Sequence, residues 1–414
     1  MKSIIILGDG MSDHPVAALG GKTPLMVARK PHIDHIARMG HTGLFATIPE
    51  GMSNGSAVAN LSVLGYDPRV CFKGRGVLEA ASMNVALKPA DVAMRCNLMT
   101  IDDSGKIKNH SAGHISNAEA HEIIADIQKV LGQTSGANPL TFYPGVSYRH
   151  LLVLDESWAI PDVDCAPPHD FVGQDAVSLY PKARSAAATA TARKLVELHE
   201  QARALLRNHP VNLKRIASGK DPANSIWTWS PGTRPQMATL QELYNKTGAV
   251  ISAVDLVQGL GVLAGMEKIV VEGATGLYDT NYEGKAAAAL DAIEKHDVVY
   301  VHVEATDEAG HEKDLALKIK CIEYLDDRLV RPILEGIEKR GIEATVSILP
   351  DHPTPVETGA HASDPVPFAI WHPHRKGDSV TVYDEESVKQ GALGLLKGDA
   401  FFKMAINSQG FPND

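Results

Sequence analysis

Asp307 and His311 stand four residues apart directly after the apolar run Val298–Val303. If a helical turn begins there, carboxylate and imidazole share one face, and that donor pair suits Zn²⁺ or Mn²⁺. An N-cap Asp followed by a surface His is the plainer reading of the same two residues. Two more apolar runs also end in acids. Asp9 follows residues 4–7 within Gly8-Asp9-Gly10, and Asp351-His352 follows residues 344–350. His361 lies a little further on, in a glycine-containing loop. Together these residues offer oxygen and nitrogen donors for two divalent ions.

Ser56 is the residue such ions could activate. Residues 49–56 are rich in glycine and small polar side chains, and an apolar periodic segment follows. The pattern predicts a loop that delivers Ser56 to the start of a helix, where backbone N–H groups and the helix dipole favour a phosphoryl group. Ser56 also fits a plain N-cap. Beside two metals it would become a nucleophile: one ion polarises the phosphoryl oxygens while the other lowers the pKa of the attacking hydroxyl. Arg75, set between Gly74 and Gly76, suits either an anion site or a solvated turn.

The elements that must position these groups read as α/β. Residues 4–7, 298–303 and 344–350 are β-rich apolar runs of the kind found in a buried parallel sheet, whose carboxyl ends are where ligands bind. Helices are predicted from about 23 to 39, over 284–296, and as one long element from about 314 to 339. Between roughly 88 and 235 the texture changes to strands, a proline-rich patch over 161–169 and an amphipathic helix over 186–206. This reads as an inserted cap domain, 88–235, in a core made of 1–87 and 236–414. The cap carries His110, Arg149, His150, His169 and Arg234, groups able to hold an anion.

The chain has 414 residues, too many for one ordinary core. Its formal charge of −10 argues against nucleic acid or an anionic membrane surface as a partner, because both need a basic field. A small anion needs only local cations. The four cysteines show no Cys-x-x-Cys spacing, and the N-terminal apolar run is short for a signal peptide. The expected location is the cytoplasm.

The chain resembles the alkaline phosphatase superfamily, and within it the archaeal type of cofactor-independent phosphoglycerate mutase. The resemblance is carried by residues 6–13, Gly55-Ser56 with 58–67, Gly74-Arg75-Gly76, 110–115, 275–285, 307–311 and Asp351-His352. It implies an alkaline-phosphatase-like sheet sandwiched by helices, with a smaller α+β cap. The implied activity is glycolytic: 3-phosphoglycerate and 2-phosphoglycerate interconvert through a phosphoserine at Ser56. Asp9, Ser56, Asp351 and His352 would hold one ion, and Asp307, His311 and His361 the other. Mn²⁺ is the first expectation, with Zn²⁺, Mg²⁺ or Co²⁺ as alternatives. Arg149 and Arg234 are candidate clamps for carboxylate and phosphate; His110 and His169 would move protons, and Lys285 would face the phosphoryl group. Family members commonly carry an acid after the serine, where this chain has Ala57. That departure points to weak mutase activity or a different acceptor, and in residues 221–227 the chain resembles a bacterial branch proposed to act as homoserine kinase, the alternative reading.

Overall fold

The computed structural model describes residues 1–132, 139–407 and 411. Contacts within the chain divide it into two compact units, Met1–Phe72 with Gln236–Asp414, and Lys73–Pro235. The division falls before the expected residue 88 because the helix Arg75–Ser82 packs on strands of the second unit.

Fifteen strands are described. In chain order they are β1 (Lys2–Gly8), β2 (His41–Ala46), β3 (Val92–Ile101), β4 (Ile107–Asn109), β5 (Leu140–Tyr143), β6 (Arg149–Leu154), β7 (Val163–Asp164), β8 (Lys182–Ala183), β9 (Ser225–Thr233), β10 (Gly248–Ile251), β11 (Glu267–Ile269), β12 (Val298–Val303), β13 (Ala344–Leu349), β14 (Val366–Trp371) and β15 (Gly394–Lys397). The first unit holds one eight-stranded sheet in the order β11-β10-β12-β1-β13-β14-β2-β15. Its centre is parallel: β1 pairs with β12 on one side and β13 on the other. Leu7 lies opposite both His302 and Leu349, so the carboxyl ends of the three strands are level. That register sets Asp9, Glu304 and Asp351 side by side.

β-branched side chains fix this arrangement because they pack well on a pleated, two-sided buried surface. Ile4, Ile6, Val299, Val301, Val346 and Ile348 share one core with Ile33, Ile36, Ile293, Ile322 and Ile333 from the helices on that face. Each such residue contributes roughly 1.5–3 kcal/mol by leaving water. Strand alternation turns Tyr300 and His302 to the opposite face.

Three predicted helices differ in detail. The element expected over 23–39 is two, Pro24–Val27 and Pro31–Met39, since Pro31 has no N–H to continue a ladder and suits a first helical position. The element expected over 314–339 widens to a π segment, Leu325–Val330, between Leu315–Tyr324 and Arg331–Arg340; Pro332 just beyond it removes a hydrogen-bond donor. Residues 186–188 form a 3₁₀ turn ahead of the helix Thr189–Leu206.

In the second unit β3 lies between β6 and β9, all antiparallel, with β5 beyond β6 and β4 on the end of β3. The pair β7–β8 is separate. Ile123, Ile124 and Ile127 from the helix Asn117–Leu131, with Leu195, Leu198 and Leu206 from Thr189–Leu206, cover Met94, Cys96, Leu98, Leu152 and Ile226. No helix among the described residues is long and apolar enough to cross a membrane.

Candidate active site

The first unit gathers its ligand-type side chains at the level strand ends. Asp9 follows β1, Asp351 and His352 follow β13, and all three are fully buried. They offer one donor atom each within 4.8 Å of one another. A second group, Asp307, His311 and His361, meets the same limit. The helix Ala305–His311 begins after β12 and places Asp307 and His311 one turn apart, with Nε2 of His311 3.1 Å from the Asp307 carboxylate. The loop after Asp351 brings Nε2 of His361 to 2.9 Å from Nε2 of His311. Two imidazole nitrogens aimed at one point are a cation's arrangement: Nδ1 of His311 donates to the Gly359 carbonyl at 2.8 Å, so once Nε2 gives up its proton the lone pair there faces the group. The groups are neighbours, for the His352 and His361 rings lie 4.0 Å apart centroid to centroid.

Thr354 joins them, since its hydroxyl donates to Asp307 and lies 3.3 Å from Nδ1 of His352. Gly10 makes room for this packing. It sits at φ +58, and a Cβ there would come within 2.5 Å of Asp307 Oδ1 and 2.6 Å of Thr354 Oγ1.

Ser56 is the first residue of the helix Ser56–Val63, and its Oγ lies 3.2 Å from Nε2 of His352. The hydroxyl therefore stands at a helix N-terminus and against the Asp9 group, the two surroundings that favour a phosphoryl anion and an activated oxygen.

The electrostatics call for positive charge. Burial raises Asp9 well above the usual carboxylate range, and Asp351, Glu304 and Asp307 add to the rise. Burial and Asp307 push Glu304 to about 8. Asp307 goes the other way: burial would raise it, but hydrogen bonds from His311 and His361 hold it below its ordinary value. His311 is correspondingly raised to about 9, chiefly by its bond to Asp307. Buried carboxylates crowded in this way, one with an oxygen that no hydrogen bond satisfies, Asp9 Oδ1, are the surroundings of a bound cation. The donor set of carboxylate oxygen and imidazole nitrogen fits a Zn²⁺ or Mn²⁺ type of ion.

The substrate-binding candidates are distributed differently. Lys285 is fully buried, and its Nζ donates to the His302 carbonyl at 3.0 Å; burial lowers it to about 8. In the second unit His110 and His169 are 6.3 Å apart, and His169 is 5.4 Å from Trp229, over which Arg95 stacks at 4.5 Å and Arg75 at 6.0 Å. Arg149 lies over Tyr148, which contacts His110 edge-on. Arg234 is exposed, and no described contact joins it to these rings. His150 is buried and accepts from Gly145 N–H, a structural role.

Sequence reasoning missed Asn60, Thr354, Arg95, Trp229 and the pair His302 and Glu304. The last two were visible: they flank the end of the very strand that leads to Asp307.

Fold and site together define a class, an α/β protein with a serine at a helix N-terminus beside two groups of metal-ligand side chains. A model of the 2,3-bisphosphoglycerate-independent phosphoglycerate mutase family matches residues 37–212. The mutase of that name from Methanosarcina barkeri is 48% identical over 410 residues, covering 99% of this chain and 100% of that protein. Among solved structures, a Pyrococcus horikoshii protein gives a TM-score of 0.82 at 28% identity, covering 100% of this chain and 99% of the other. A cofactor-independent phosphoglycerate mutase from Thermoplasma acidophilum gives 0.68 at 28% identity, covering 99% and 100%. The chain belongs to the 2,3-bisphosphoglycerate-independent phosphoglycerate mutase family.

Proposed function

We propose that this protein interconverts 3-phosphoglycerate and 2-phosphoglycerate, without 2,3-bisphosphoglycerate, by carrying the phosphoryl group on Ser56. The observation that supports this most is the position of Ser56 Oγ, 3.2 Å from His352 at the head of a helix and beside two convergent ligand groups. Asp9, Ser56, Asp351 and His352 would hold one divalent ion, and Asp307, His311 and His361 a second, with Mn²⁺ the first choice. When bound, the ions supply Lewis acidity to the phosphoryl oxygens and favour the ionised serine.

The residues themselves supply the rest. Ser56 Oγ loses its proton and attacks phosphorus; the bond from phosphorus to the glycerate C3 oxygen breaks, and that oxygen leaves with the electron pair and is protonated. The glycerate then turns, and its C2 hydroxyl loses its proton and attacks the phosphoserine; the bond from phosphorus to Ser56 Oγ breaks, and that oxygen leaves with the electron pair and is protonated, which restores the serine. Holding the serine at a helix N-terminus favours the phosphorylated form, whose added negative charge meets the helix dipole. His110, His169, Arg149 and Arg234 remain the candidates for binding the phosphorylated metabolite, and Arg75 and Arg95 join them because guanidinium groups suit carboxylate and phosphate. Ala57 is buried on the helix next to Ser56, a position with no acid to share the hydroxyl's proton. A cytoplasmic location suits this substrate.

The homoserine kinase-like alternative has no support from these relatives, whose names are those of mutases. Incubating metal-loaded protein with 3-phosphoglycerate and reading 2-phosphoglycerate through enolase tests the proposal. Formation of 2-phosphoglycerate is expected; phosphohomoserine made from homoserine and a nucleotide, with no mutase product, would favour the alternative.

A further inference from the structure

Two buried hydrogen-bond relays pass through β12 to the two carboxylates of the Asp9 group. The first begins at Tyr300, whose hydroxyl donates to Asn60 Oδ1 at 2.6 Å. Asn60 Nδ2 in turn donates at 2.9 Å to Asp351 Oδ2 and at 2.9 Å to the carbonyl of Ser56. Asp351 Oδ1 is already taken by the N–H groups of Gly10 and His352. One amide therefore ties the serine-bearing turn to the carboxylate, and Tyr300 fixes which way that amide faces. Asn60 and Tyr300 are both fully buried.

The second relay begins at Ser252. Its Oγ accepts from Val254 N–H at 3.0 Å and lies 3.0 Å from His302 Nδ1, so its own proton is available for that nitrogen. Nδ1 then accepts, the ring proton resides on Nε2, and Nε2 donates to Asp9 Oδ2 at 2.8 Å. This leaves Asp9 Oδ1, buried and without a hydrogen bond, on the side of His352, whose Nε2 is 3.5 Å away. Tyr300 and His302 are two residues apart on one strand, so they share a face and reach neighbouring carboxylates.

We propose that Asn60, backed by Tyr300, and His302, backed by Ser252, are positioning residues that aim Asp351 and Asp9 at one shared cation. The inference rests on the metal-assisted reading above. None of the four residues is assigned to substrate. A competing arrangement is present in the same place: Asp9, His302 and Glu304 also offer donors within 4.8 Å of one another, with Glu304 Oε2 3.4 Å from His302 Nε2. A third ion there would require Nε2 to give a lone pair rather than a proton. The relay instead uses Nε2–H toward Asp9, the shorter of its two contacts.

Mn²⁺ titration followed by the EPR signal of the free ion, on the full chain without substrate, separates these. The wild type is expected to bind two ions. His302→Ala and Asn60→Ala should weaken one of them roughly 10–100-fold, the range seen when partners of metal ligands are removed, and leave the other unchanged. His302→Gln, whose amide N–H can still reach Asp9, should recover much of the loss. Tyr300→Phe removes only a hydroxyl and keeps the packing, so it should fold and show a smaller weakening at the same site. In turnover, kcat should fall while KM for 3-phosphoglycerate holds. Unchanged affinity at both sites in His302→Ala and Tyr300→Phe, or equal weakening of both sites with a lowered melting temperature, would overturn the proposal. Three ions in the wild type with one lost in His302→Ala would do the same by making His302 a ligand. Two-site binding with no mutase activity in the wild type would sink the proposed function and leave the relay standing.

Discussion

Ser56→Ala removes one hydroxyl from the first residue of a helix, where its oxygen faces Nε2 of His352. The expected result is loss of all 2-phosphoglycerate formation, with an unfolding free energy within about 0.5 kcal/mol of wild type. A large drop in stability would assign the hydroxyl to the fold instead. His311 offers a second test at this scale. Its bond to Asp307 raises it to about 9, so the metal-free imidazole is protonated at neutral pH and must lose that proton to ligate. Metal binding should therefore release protons, and affinity should climb with pH up to about that value. Calorimetry of Mn²⁺ binding in two buffers of different ionisation enthalpy measures the release; identical heats would contradict it. The residues that were legible in sequence were the donors themselves, because Asp and His after apolar runs are uncommon enough to notice. Asn60, Thr354 and Tyr300 were not, since an amide, a hydroxyl and a phenol inside helix and strand patterns look like ordinary core until a neighbour distant in sequence faces them.

Among the elements, the parallel strands were readable because β1, β12 and β13 are continuous apolar runs. Helix ends were harder. Pro31 and Pro332 stop or widen a ladder whose apolar period continues past them, so periodicity alone overruns the break. The boundary between units was misplaced for a similar reason: the helix Arg75–Ser82 has an apolar face that either unit could bury, and only the contacts decide. The second unit's core makes stability predictions of its own. Leu195 is fully buried between helix and sheet, and Leu195→Ala should cost about 2–5 kcal/mol in a urea titration. His150 and His199 are lowered to about 3 by burial. Unfolded, each takes up a proton near 6.5, so their stabilising contribution is complete above that pH and is lost progressively as pH falls toward about 3. His199→Phe can keep the stack on Trp227, 5.3 Å away, without a proton to gain. Its stability should depend less steeply on pH between 6.5 and 4 than that of wild type; equal slopes would show that the histidine is not responsible.

For the molecule as a whole, buried acids at the strand ends make stability depend on cations. Asp9, Asp307 and Asp351 are nearly or fully inaccessible to water, and their mutual repulsion is relieved when opposite charge is bound. A ligand that binds only the native state stabilises by about 2.7 kcal/mol at a hundredfold excess over its dissociation constant. Chelation should thus lower the melting temperature, and Mn²⁺ should restore it. No change on chelation would mean that the acids are neutralised by protons alone. The net charge of −10 is spread over a surface that says little of this. It is the local concentration of carboxylates, set by strand register, that the global composition could not reveal.

The central claim is that Ser56 carries the phosphoryl group, and rapid-quench mass spectrometry of the Mn²⁺-loaded protein mixed with 3-phosphoglycerate tests it most directly. The predicted result is a phosphoryl increment on the peptide containing Ser56, appearing before 2-phosphoglycerate accumulates and absent in Ser56→Ala. Turnover to 2-phosphoglycerate with that serine never modified, or retained in Ser56→Ala, would contradict it.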